Sequence, residues 1–591
     1  MKIFEYARLK SSPNYKTYTY FQFKLVPILI HHFRFRFENL GQNMSEKVIV
    51  TVKEGKVRGF KAKTAYSGVD YYTFFGVPYG QSTEGTARFK DPIKAKPWSN
   101  ILDATVPKGG CAQFSLKDKD LTGSENCLYN NIYTPKIPSK GDSLKAVMVN
   151  FHPGGFIHGS PDPSYYGAPD YIMHHDVVYV CVGYRLHVLG YLNLNMKVCS
   201  GNQGLKDAIL SLQWIKENIS VFGGDPDNIT LMGSSSGSTI VHFMLLSPLA
   251  KGLYHKAILM GCYAFIPVAI FLMENASVAY KIAQMLGYDG KPDDNKKLLN
   301  FYKSVELYSL FLTRPEHLFN KTAIQVYPQS PFLITPEPGE NSPLPVSPEK
   351  LIPSTNRVPI IIGFSEREAA MTLVTLRALN TSLKTCFYKA IQQNCWGWAA
   401  ALNEDELKLI QKEVENFYLA GESIETASQS ILCDILTDIA LSDVYDSVIN
   451  VISADLPTSV YVYNFHYDGK LCVMKATVER SLEKPLPGAF HGADYSYWCY
   501  REEMAGKTMA RIQPNDRKIV DTLTNLLTTF AKTSNPNYEG LEVEWKPTTP
   551  DSPSHLIINE KLQVKDELLN GERMEFWHRL KKKFVKSRAH L

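Results

Sequence analysis

What this 591-residue chain lacks narrows the field before anything it contains. Phe21 to Ile30 is the only apolar run near the start, and Lys24 interrupts it. A membrane span needs about 20 apolar residues, so this run is too short, and no small-residue cleavage site of a secretory leader follows it. The cytoplasm is therefore the expected compartment. There, cysteines stay reduced by default, and the ten in this chain need not pair. Internal repeats are absent, and no Gly/Ser-rich or Pro-rich linker divides the chain. The densest proline stretch, Pro328 to Pro353, reads as a surface connection within one domain.

An excess of one charge sign is also missing from most of the chain. Residues 1–43 hold seven Lys or Arg against two Asp or Glu, which accounts for the whole formal charge of +5. The remainder is neutral overall, which argues against a nucleic-acid surface. Residues 1–43 are expected to form a basic leader outside the fold, and 44–591 the domain. The tail carries Lys581, Lys582, Lys583, Lys586 and Arg588 and reads as a solvated basic end. With the basic start, it offers weak contact with an acidic membrane surface as the alternative. Ala589-His590-Leu591 loosely fits a peroxisomal address, the secondary expectation for location.

What is present is a pentapeptide, Gly233-Ser234-Ser235-Ser236-Gly237, between the apolar run Ile229–Met232 and the helix-like run Ile240–Leu246. Gly-x-Ser-x-Gly between strand and helix is the pattern of a nucleophile elbow, a tight turn that lifts the central hydroxyl above a sheet. By itself the pentapeptide is common, so its companions decide. Ahead of it, the strand-like Val147–Phe151 feeds His152-Pro153-Gly154-Gly155. Behind it come Val358–Ile362 with Glu366 and Glu368, then Gly488-Ala489-Phe490-His491-Gly492-Ala493-Asp494. An oxyanion loop, a serine, an acid and a histidine thus follow one another in the order that α/β-hydrolases use.

Further motifs carry a resemblance. They include Phe75-Gly76-Val77-Pro78-Tyr79, Ser124-Glu125-Asn126-Cys127-Leu128-Tyr129 and Tyr184-Arg185-Leu186-His187-Val188-Leu189-Gly190. A longer block runs from Gly201-Asn202-Gln203-Gly204 through Phe222-Gly223-Gly224-Asp225-Pro226 to the elbow. From Met44 to about Leu580 the chain resembles the type B carboxylesterases, which include the cholinesterases, and looks closest to the intracellular α-esterases of insects. The resemblance implies a single large α/β-hydrolase domain with a central, mostly parallel twisted sheet flanked by helices. It implies hydrolysis of lipophilic carboxyl esters, foreign compounds among them, through an acyl-enzyme, with small-molecule esters as partners and no metal or organic cofactor. Slow-turnover sequestration of esters or organophosphates is the alternative, and oligomeric state is not legible.

In this reading Ser235 is the nucleophile, because it alone occupies the centre of the frame. His491 is the base and Glu368 the acid that orients it. Glu366 competes two residues earlier; the family's Gly-Phe-Asn-Ser-x-Glu-Gly register favours Glu368. The backbone N–H groups of Gly154, Gly155 and Ser236 would form the oxyanion hole, and Pro153, which has no N–H, matches a glycine that is not a donor. Cys111 and Cys127 occupy the positions of the family's first disulfide loop, bonded in an oxidising compartment and thiols in a reducing one. The family usually has Glu before the nucleophile and Ala after it, where this chain has Ser234 and Ser236, so turnover is expected to be slower. Val268 stands where Trp often lines the acyl pocket, which implies room for bulkier acyl groups. No Trp lies between Cys111 and Cys127, so the platform that holds a quaternary ammonium in cholinesterases is missing.

Overall fold

The computed structural model describes residues 46–114, 120–261, 263–264, 275–311, 332–339, 341–354, 356–378, 382–394, 402–444, 459–482, 484–500 and 512–586. The expected leader, Val268 and the last five residues lie outside these.

A 13-stranded sheet organises the described chain. Its strands are β1 (Lys47–Val52), β2 (Gly55–Lys63), β3 (Asp70–Pro78), β4 (Tyr129–Thr134), β5 (Lys145–Phe151), β6 (Val178–Val182), β7 (Gly224–Ser234), β8 (Lys256–Met260), β9 (Ile360–Ser365), β10 (Val460–Phe465), β11 (His555–Ile558) and β12 (Gln563–Lys565), with Leu102–Asp103 added beside β2. The spatial order is β1-β2-β3-β4-β6-β5-β7-β8-β9-β10-β11-β12. From β6 to β11 every neighbouring pair is parallel, and antiparallel strands finish both edges. The expected fold class, a mostly parallel α/β sheet flanked by helices, is the one observed.

The apolar runs explain this order. Strands β9 and β10 are buried at every position, as a parallel strand covered on both faces must be. Edge strand β1 is instead largely exposed and alternates at its end. Successive side chains of one strand serve two cores. Val147, Val149, Ile360 and Ile362 pack on one face, while Met148, Ile361, Ile258 and Met260 pack on the other. The first face receives helices α1 (Gln203–Asn218) and α2 (Ser236–Leu246), the latter buried along its whole length. Helices α3 (Glu404–Leu419) and α4 (Gln429–Val444) join a third cluster described below. The second face takes α5 (Pro514–Thr533), which begins with Pro in its first turn and buries Ile519, Leu523, Leu526, Leu527 and Phe530. The C-terminal α6 (Glu572–Lys586) closes the third cluster, in which Phe576 and Trp577 pack with Ile410, Val414, Ile435 and Phe490.

Strand β5 is followed in the chain by β6 on one side and in space by β7 on the other. Their carboxyl ends flank the point where the winding reverses, the crevice where open α/β sheets bind ligands.

Candidate active site

The Gly-x-Ser-x-Gly elbow sits in that crevice. Ser234 ends β7, Ser236 opens α2, and Ser235 between them adopts φ 54° and ψ −129°. A non-glycine residue held at so sparsely populated a positive-φ conformation costs about 1–3 kcal/mol, and the surroundings hold this one in place. Its N–H donates to Met260 O at 2.8 Å. The two glycines serve close approach. A Cβ on Gly237 would lie 1.9 Å from Phe151 O at the end of β5, and one on Gly233 would lie 2.3 Å from the Gly237 carbonyl carbon.

The structure brings His491 and Glu368 to this serine. Ser235 Oγ lies 3.0 Å from His491 Nε2, and His491 Nδ1 lies 2.5 Å from Glu368 Oε2. Since a carboxylate only accepts, Nδ1 carries the proton and Nε2 faces the hydroxyl as an acceptor. The other oxygen of Glu368 accepts from the Ser365 N–H at 2.7 Å. Glu366 is placed elsewhere: its carboxylate lies where a Cβ on Gly488 would meet it at 2.6 Å, and burial raises its pKa. Glu368 is therefore the acid on the imidazole.

Backbone pairing aligns acid with base. Arg367 and Phe490 form an isolated parallel bridge, with the Arg367 N–H donating to Ala489 O at 2.8 Å. Each bridged residue directly precedes one of the hydrogen-bonded pair, Arg367 before Glu368 and Phe490 before His491. Gly261, at φ 70°, packs beneath: its Cβ would come 3.2 Å from the imidazole Cε1 and 3.3 Å from Glu368 Oε1. Burial pushes the His491 pKa down, but the charge and hydrogen bond of Glu368, with the charge of Asp494, outweigh it and leave the value raised. Asp494 is itself fully buried and pushed up to about 6, chiefly by burial; it accepts from the Tyr463 hydroxyl at 2.6 Å and the Tyr495 N–H at 2.8 Å. Asp494 closes the Gly488–Asp494 motif, and nothing in that motif assigns it a task. Its position three residues after His491 was the available signal.

The loop after β5 holds Gly154 at φ 133°, Gly155 at 62° and Phe156 at 63°. A Cβ on Gly154 would fall 1.8 Å from His158 O, so this turn requires glycine. Beneath it, the His152 ring stacks on Tyr184 at 4.3 Å, and the Tyr184 hydroxyl donates to His152 O at 2.7 Å. His152 Nδ1 lies 2.9 Å from Pro153 O, and burial lowers its pKa to about 4, so it is a neutral brace for the turn. Ser236 stands at the first position of α2, where an N–H has no helical acceptor.

Cys111 and Cys127 are joined in a disulfide. Between them Gln113 donates to Gly159 O at 2.7 Å and accepts from the Gly159 N–H at 2.8 Å, tying the disulfide loop to the Gly154–Gly155 turn. Among the described residues no helix is long and apolar enough to cross a membrane.

The model of the carboxylesterase family matches residues 46–577. Esterase E4 of Myzus persicae is 31% identical over 85% of this chain and 88% of its own length. Juvenile hormone esterase of Heliothis virescens is 28% identical over 84% and 87%, and liver carboxylesterase 1 of Mus musculus 27% over 93% and 96%. Among solved structures, juvenile hormone esterase from Manduca sexta with OTFP covalently attached matches with a TM-score of 0.76 at 25% identity, covering 90% of this chain and 99% of that one.

Proposed function

The chain belongs to the carboxylesterase family and is a serine carboxylic-ester hydrolase; we propose that its reaction runs through Ser235, His491 and Glu368. The hydrogen-bonded line from Ser235 Oγ through the imidazole to Glu368 carries this reading. As Ser235 Oγ attacks the ester carbonyl, its proton passes to His491 Nε2. The imidazolium formed is stabilised by Glu368, with Asp494 as a second negative charge. The oxyanion is held by the N–H groups of Gly154, Gly155 and Ser236, each worth about 2.7–4 kcal/mol in comparable enzymes. The alcohol leaves with the proton from His491. Water, deprotonated by the same imidazole, then releases the acid and restores Ser235.

The substrates are lipophilic carboxyl esters, and the kinship with insect esterases extends the proposal to foreign esters. At Val268 the sequence supports a roomy acyl pocket, since Val replaces a much larger side chain. Location in the cytoplasm, where the Cys111–Cys127 disulfide would have to withstand a reducing thiol pool, and weak contact of the basic ends with acidic membranes belong to the same proposal. The test is hydrolysis of p-nitrophenyl esters of increasing acyl length by the parent chain and Ser235→Ala. The parent should cleave the series, bulky acyl groups included, and Ser235→Ala should lose roughly 10⁵–10⁶-fold in kcat. Comparable rates in the variant would remove Ser235 from the role.

A further inference from the structure

His491 stands on a short loop whose backbone is gripped from a direction that the triad does not explain. The loop begins at Gly488, where φ is 102° and a Cβ would strike the Glu366 carboxylate, so no other residue fits without displacement. Both polar backbone groups of Gly488 are engaged by one ion pair from outside the loop. Asp468 Oδ2 accepts from the Gly488 N–H at 3.0 Å, and Lys475 Nζ donates to Gly488 O at 3.1 Å. Lys475 and Asp468 are in direct contact with each other, closing a ring around that residue's backbone. The Lys475 side chain is only 12% exposed, and its ammonium lies 5.1 Å from the Phe490 ring centroid, a cation–π contact next to His491. Charge-assisted hydrogen bonds of this kind are about twice as strong as neutral ones. The clip therefore fixes Gly488 and Phe490 from one side while Arg367 fixes Ala489 from the other.

We propose that the Lys475–Asp468 pair is a positioning device for catalysis, holding the His491 imidazole in line between Ser235 and Glu368. Neither side chain touches the reacting atoms. Their effect runs through the Gly488–Phe490 backbone, because misplacing a catalytic group by about 1 Å can cost roughly 100-fold in rate. The inference rests on His491 being the base.

The test compares Lys475→Met, which keeps the apolar stem, with Lys475→Arg, which keeps the cation. Active sites are first counted by complete reaction with a fluorophosphonate, so that rates are expressed per competent site. Lys475→Met should lose roughly 10-fold or more in kcat, with KM within about twofold. Its acid limb of kcat/KM should move to lower pH as the imidazole drifts from Glu368, and Lys475→Arg should recover most of the loss. An unchanged kcat per site, a deficit confined to the number of sites, or no recovery in the arginine variant would each overturn the proposal. If Lys475→Met gives no folded protein, Asp468→Asn is read the same way, with a smaller loss expected and an unchanged kcat overturning it. His491→Ala separates the two ideas. Activity surviving there refutes the triad, whereas an inactive His491→Ala beside a normal Lys475→Met refutes the clip alone.

Discussion

At Glu368 the charge matters as much as the hydrogen bond. A His491 pKa raised above its ordinary value of about 6.5 means that more of the base is protonated, and idle, as pH falls toward that value. Replacing Glu368 by Gln keeps an acceptor for Nδ1–H but removes the negative charge, leaving burial to act with less opposition. The imidazole pKa then falls, so the acid limb of the kcat/KM profile should move to lower pH. At the same time kcat should drop by as much as about 10⁴-fold, because the developing imidazolium loses its counter-charge. A limb that stays put or moves upward would mean that another group sets it. The proposed triad was legible in the sequence because each member sits in a short local motif, and the folded chain brings the three into hydrogen-bond reach. Gly261, Asp468 and Lys475 were not, since their contacts with the His491 loop depend on how the folded chain seats that loop, which no local pattern records.

Among the elements, the apolar runs at β5 and β7 were legible as strand-like, their parallel pairing came from the resemblance, and α2 followed from its position after the elbow. The pentapeptide also predicted the turn, but not why its second glycine is needed. Gly237 lies in a helix, where backbone freedom is of no use; it is there because α2 presses against the end of β5. Gly237→Ala should therefore push the helix start away from Phe151 and displace both Ser235 and the Gly154–Gly155 turn. A loss of about 3–5 kcal/mol in stability, with disproportionate loss of hydrolysis, is the expected outcome. It is measured by unfolding midpoint and activity together. A variant as stable and active as the parent would show that the contact yields easily. The Arg367–Phe490 bridge was beyond sequence reading for a different reason: an isolated bridge of two residues has no periodicity to detect.

For the whole molecule, the sheet makes neighbours of residues far apart in the chain, Ser235 and His491 being separated by 256 positions. Three connections deliver these two and Glu368: one after β7, one after β9, and one after β10 whose His491 end is zipped to the second. The family resemblance anticipated the mostly parallel sheet, yet the long antiparallel flank from β1 to β4 carried no motif that fixed its order. If reactivity at Ser235 comes from this convergence, it belongs to the folded state alone. A fluorophosphonate should place one phosphonyl group per chain, on Ser235, as mapped by peptide mass spectrometry. Labelling should vanish in His491→Ala and in the urea-unfolded chain. Modification of Ser234 or Ser236 instead, or undiminished labelling without His491, would contradict the mechanism.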